Sequence, residues 1–159
     1  MNKSSIKILY LIFPLILSSL SLAEDDPEAL KIGFGSCIDE TKPQPIWEAV
    51  EKENLNDFFF VGDNVYGDLD SGELSNMGPA YEKQEENFPN WLKNLKPLAI
   101  WDDHDYGLND GGVEYTLKKE AQKLFLDFWN IDIKDERHKR EGIYFFESRI
   151  FCSFPFFMS

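Results

Sequence analysis

Apolar positions fall in short runs separated by polar, glycine- and proline-containing stretches. LKIGFG (Leu30 to Gly35) reads as a strand that stops at Ser36-Cys37. Pro45 suits the first turn of a helix over IWEAVEKEN, where Ile46, Trp47 and Val50 recur at helical spacing. Phe58 to Val61 is an unbroken apolar run, the pattern of a strand buried on both faces, and Gly62 ends it. Ser75 to Leu95 is amphipathic but carries Pro79 and Pro89, which predicts one broken helix or two short ones. LAIW (Leu98 to Trp101) is a third strand candidate. Glu114 to Trp129 gives the clearest helix, with Leu117, Ala121, Leu124, Phe125 and Phe128 on one stripe. GIYFF (Gly142 to Phe146) is a candidate fourth strand. Strands alternating with helices predict an α/β sheet.

The first 23 residues read differently. Lys3 and Lys7 precede an apolar run from Ile8 to Leu17, and Ser21-Leu22-Ala23 supplies small residues where a signal peptidase cuts. The run is shorter than the roughly 20 residues that a membrane span needs. Residues 1–23 are therefore a predicted secretory signal, with a secreted or periplasmic product and no stable membrane anchor once it is cleaved. An uncleaved anchor is the alternative. Loss of the two lysines takes the formal charge from −13 to −15. That balance argues against nucleic acid as a stable partner, because phosphate backbones attract basic surfaces. Aromatic residues at 15% argue against disorder. Cys37 and Cys152 are the two cysteines, and a disulfide between them is one reading in an exported chain.

Each of the first three predicted strands runs into a loaded loop: GSC, then GDNVYGD, then DDHDYG. Ligands of open α/β sheets sit at the carboxyl ends of strands. Hard cations take carboxylate oxygens, and transition ions also accept imidazole and thiolate. Neither acidic loop has the spacing of an EF-hand, and GFGSC lacks the nucleophile-elbow pattern GxSxG. Donors spread over separate strands suit a multi-metal hydrolase, in which one carboxylate bridges two ions. An isolated GD after a strand is more often a turn, so the weight lies in the three loops together.

The ordered set FGSC (Phe34 to Cys37), GDNVYGD (Gly62 to Asp68) and WDDHDYGLND (Trp101 to Asp110), followed by KLFLDFW and RHKREGIY, resembles the PhoD-like alkaline phosphatase/phosphodiesterase family. That family belongs to the calcineurin-like metallophosphatase superfamily. The resemblance spans roughly residues 30 to 146. It implies a metallophosphatase-like β-sandwich flanked by helices, with residues 24–159 as a partial domain. The activity implied is hydrolysis of a small-molecule phosphate ester, monoester or diester, by a metal-activated hydroxide. Asp63 is then the bridging ligand, and Tyr66 and Cys37 ligands of a ferric ion. Asp103 stands where a metal-binding asparagine usually stands, and His104 where the catalytic histidine contacts phosphate. Asn64, Asp105 and Asn109 are further candidates, supporting the ligands or binding an additional metal. Iron with calcium is the implied cofactor set, and other relatives use different divalent metals. Arg137, His138, Lys139 and Arg140 either attract the anionic substrate or form a solvated surface run.

The sequence departs from the family at its end. The family's late aspartate and histidine-containing motif have no counterpart, and residues 146–159 end in IFCSFPFFMS, an aromatic tail without a ligand motif. The expectation is the N-terminal half of the fold, from a truncated or frame-shifted gene, weak or inactive alone. The alternative function is a non-catalytic, secreted acidic cation-binding protein using the same loops. An anchored scaffold or interaction domain is a third reading.

Overall fold

The computed structural model describes residues 30–148. The predicted signal segment, Cys152 and the aromatic tail from residue 149 lie outside the described residues, as does any Cys37–Cys152 pairing.

Three strands, β1 (Ile32–Gly35), β2 (Asp57–Val61) and β3 (Leu98–Ile100), form one parallel sheet in that order. Phe34 pairs in register with Phe59 and Phe59 with Leu98, while Gly35 pairs with Phe60 and Phe60 with Ala99. Paired residues point to the same face. Phe58, Phe60 and Ala99 therefore share one face, and it carries the core. Helices α1 (Ile46–Glu51), α2 (Met77–Asn87), α3 (Asn90–Leu95) and α5 (Lys118–Phe128) bring Trp47, Met77, Leu92 and Phe125 into that cluster. The ring of Trp47 meets Phe58 and Phe88 edge-on at 5.7 and 5.8 Å. Glycine in β1 follows from this packing, since a Cβ on Gly33 would lie 2.5 Å from Phe58 Cδ2.

The other face is open among the described residues. Phe34 stacks on Phe59 there at 5.3 Å yet remains 68% exposed, and Ile32, Val61 and Ile100 are exposed beside it. A mixed α/β fold with a small parallel sheet is thus present, and the described residues contain one sheet.

Several element ends differ from the sequence expectation for local reasons. Helix α1 stops at Glu51, because the next residues close turns (Glu53 N–H to Val50, Asn54 N–H to Glu51) and Asn54 turns left-handed at φ 51°. The break in the 75–95 segment falls at Pro89, not Pro79. Pro79 occupies the first turn of α2, where an N–H has no intrahelical partner to lose, whereas Pro89 is extended with ψ 155°. Helix α5 starts at Lys118 instead of Glu114. The preceding residues form turns in which Glu114 accepts from Gly112 N–H at 2.9 Å and the Tyr115 hydroxyl donates to Gly72 O at 2.7 Å.

GIYFF does not become a strand. The Gly142 N–H donates to the Gln122 side chain at 2.9 Å, and the Tyr144 carbonyl accepts from the Arg140 guanidinium. Ile143 is buried in the core while Tyr144 and Phe146 are exposed, so side-chain contacts replace a ladder. No helix among the described residues is long and apolar enough to cross a membrane.

Phe60 is 2% exposed at the centre of this layer. Replacing it by alanine is expected to lower stability by about 3–5 kcal/mol in urea unfolding. Val113→Ala, at a position 83% exposed, is expected to stay within about 0.5 kcal/mol.

Candidate metal centre

Parallel strands all finish on the same edge, so the loops after β1, β2 and β3 start side by side. The β1–β2 pairing continues past the ladder: Cys37 N–H donates to Gly62 O at 3.3 Å and Ile38 N–H to Asp63 O at 3.0 Å. Gly62 has φ 111°, and a Cβ there would lie 2.6 Å from Asp102 Cβ, so the second and third loops meet at this glycine. Cys37 and Asp63 are themselves left-handed, at φ 58° and 50°. Each costs roughly 1 kcal/mol or more, less for the aspartate, whose short polar chain tolerates the region.

Asp63 is the hub. Its Oδ2 accepts from the Tyr66 hydroxyl at 3.1 Å and from the Cys37 thiol at 3.5 Å. Its Oδ1 is buried and has no hydrogen-bond partner. Asp63, Asp103 and His104 each offer a donor atom, all within 4.8 Å of one another. A buried carboxylate oxygen without a donor is costly, and a cation removes that cost. Two carboxylates, an imidazole, a phenol and a thiol fit a transition ion or a mixed pair of ions.

The histidine and aspartate of this group are prepared by their neighbours. Helix α4 (Asp103–Tyr106) is a single turn opened by a capping box: Asp102 accepts from Asp103 N–H at 3.1 Å, and Asp105 accepts from Asp102 N–H at 3.1 Å. His104 Nδ1 lies 2.8 Å from Asp68 Oδ1. A carboxylate only accepts, so Nδ1 carries the proton and Nε2 is the nitrogen left for chemistry. Partial burial pulls the imidazole pKa down, but Asp68, with Asp63 and Asp103 behind it, outweighs this and raises it above its ordinary value. The Asp110 N–H, donating to Asp103 at 2.8 Å, holds the Asp103 carboxyl below its ordinary range. Burial first, and then the neighbouring Cys37 and Asp63, push the Tyr66 phenol well above its ordinary value. A multivalent cation reverses such a shift by binding the phenolate.

Cys37, Asp63, Tyr66, Asp103 and His104 are therefore brought together, on three separate loops. Asn64, Asp105 and Asn109 sit differently. Asp105 is fully buried and accepts from the Asn64 backbone N–H at 3.0 and 3.1 Å and from its side-chain amide at 2.9 Å. The Asn64 amide also donates to Ile100 O at 2.9 Å, while its Oδ1 is buried without a partner. This pair ties the β2 loop to the β3 loop. The Asn109 side chain turns to Asp110, and its backbone N–H donates to Asp68 at 3.0 Å.

Two roles lay outside the sequence reading. Asp68 is the histidine's partner, and Glu40, 4% exposed, accepts from the Tyr66 N–H at 2.9 Å. A GD pair six residues after a strand end flags Asp68, but no local pattern flags Glu40. The basic run lines a separate cavity, about 540 Å³, with Lys119 and Lys123 of α5. Arg137 there is held by Asp135 and lies over the Phe145 ring.

Burial pushes Asp105 up to about 7, against the hydrogen bonds from Asn64 and Asp102 that pull it down. The folded value lies above the unfolded one, so folding favours the protonated acid. Stability from this group is therefore full below about pH 4, declines as pH rises to about 7, and is flat above. Urea unfolding of the chelator-treated chain and of Asp105→Asn should show the difference between them changing by roughly 4 kcal/mol across that window. No family model, curated protein or solved structure matches the chain.

Proposed function

We propose that the chain is a metal-dependent phosphoric-ester hydrolase of the PhoD-like type, acting on a small phosphate monoester or diester. The observation that carries this reading is the convergence on Asp63 of Cys37, Tyr66, Asp103 and His104 from three loops. The two-layer sandwich belongs to the same proposal, and the open apolar sheet face at Phe34, Val61 and Ile100 supports it.

Asp63, Tyr66, Cys37 and Asp103 are the residues that would hold iron together with calcium or another divalent ion. Bound there, such ions supply Lewis-acid stabilisation of phosphoryl charge and lower the pKa of a water. The protein's own part is orientation and proton transfer. Asp68 fixes the His104 ring through Nδ1, which points the proton chemistry to Nε2. With Nδ1–H held by Asp68, Nε2 is the position from which His104 would pass a proton to the leaving alkoxide. Asp105 and Asn64 hold Asp63 at its distance from Asp103 and His104.

The test is hydrolysis of p-nitrophenyl phosphate and of the bis-ester by chain supplied with iron and calcium. Turnover by this chain alone is expected to be weak, and whatever is measured is expected to depend on metal, to be lost in Asp63→Ala and in Asp103→Ala, and to fall in His104→Ala. Asp68→Asn should reduce it about 10-fold with the fold intact. Turnover that survives both aspartate substitutions contradicts the site assignment, and calcium binding without iron binding contradicts the hydrolase reading in favour of a non-catalytic cation-binding protein.

A further inference from the structure

The loop that presents Asp63 and Tyr66 is gripped from both sides by buried carboxylates that are not themselves in the donor cluster. Asp105 takes the Asn64 N–H, and two residues later Glu40 takes the Tyr66 N–H. Val65, between them, is 0% exposed. Glu40 belongs to the loop after β1, three residues beyond Cys37. That loop already follows the β2 loop through Cys37 N–H to Gly62 O and Ile38 N–H to Asp63 O, and Glu40 adds a third bond. The Glu40 backbone is anchored in turn, because its carbonyl accepts from the Asn87 side chain at the end of α2 at 2.8 Å.

From this we infer that Glu40 is a positioning residue: its carboxylate fixes the Tyr66 backbone, and so sets the phenol oxygen against Asp63. A carboxylate is the stronger choice of acceptor, since a hydrogen bond to an ionised oxygen is roughly twice as strong as a neutral one. A buried carboxyl oxygen is costly unless it is hydrogen-bonded, and the Tyr66 N–H supplies that bond. Without the grip, Tyr66 keeps its hydroxyl bond to Asp63 and its ring contact with His104 at 4.3 Å, but its backbone N–H loses its acceptor. The role in metal binding rests on the hydrolase reading, whereas the grip on the Tyr66 amide does not.

The experiment compares the full chain, Glu40→Met, which fills the space without an oxygen acceptor, and Glu40→Gln, which keeps one. Two quantities are read: exchange of the Tyr66 amide in the chelator-treated chain by NMR, and Mn²⁺ affinity by electron paramagnetic resonance. Glu40→Met should speed Tyr66 exchange about 10-fold or more and weaken Mn²⁺ binding about 10- to 100-fold. Glu40→Gln should restore both to within about threefold of the parent, because the amide oxygen still accepts. If Glu40→Met does not fold, Glu40→Ala replaces it. Parent-like Tyr66 exchange in the acceptor-free variant overturns the inference, and so does a Glu40→Gln variant as impaired as Glu40→Met. A parent chain that binds no Mn²⁺ counts against the metal centre instead, and amide exchange alone then judges Glu40.

Discussion

Parallel pairing of β2 with a strand on either side is the constraint from which the candidate centre follows. It brings three loops to one edge, and it fixes their offsets through a register that continues from Gly35 opposite Phe60 to Cys37 opposite Gly62. A one-residue slip of β2 would turn Phe58 and Phe60 out of the core and carry Asp63 to the other side of the loop. The aromatic packing of Trp47, Phe58, Phe60 and Phe88 therefore secures the spacing of the candidate donors as well as the fold.

The acidic density at this edge is tolerable because most carboxylates already have donors. Asp68 is paired with His104, Asp103 takes the Asp110 N–H, and Asp105 and Glu40 take those of Asn64 and Tyr66. Asp63 stands apart: one oxygen serves a phenol and a thiol, and the other is buried without a donor. Left-handed backbone at Cys37 and Asp63 adds strain at the same place. An uncompensated oxygen and strained backbone at Cys37 and Asp63 together mark where the fold departs from its own best packing, as functional sites do.

What could be seen from sequence was whatever strand ends determine. Gly62 after FFFV, and Asp103-His104 after LAIW, place donors at strand termini by local pattern alone, and these residues meet in space. Residues whose roles depend on burial were not visible in the same way. Asp105 enters the sequence reading only through the family resemblance, as a support or a further ligand, and its burial beneath Asn64 follows from the capping box of α4, which turns it inward. Glu40 becomes a support because its turn packs against α2, a contact across 47 residues at Asn87. GIYFF misled for a related reason. Its apolar composition suits a strand, but Gln122 and Arg140 claim its backbone groups before a sheet edge can.

In the proposed centre, Tyr66 and Asp63 present adjacent oxygens to one cation. Visible absorption of Cys37→Ser loaded with ferric ion tests it most directly, since a phenolate bound to iron(III) gives a charge-transfer band that carboxylates, imidazole and a serine hydroxyl do not. Such a band is predicted in Cys37→Ser, absent when Tyr66→Phe is added and strongly weakened when Asp63→Asn is added. A ferric complex of Cys37→Ser lacking the band, or a band retained once Tyr66→Phe is added, contradicts it.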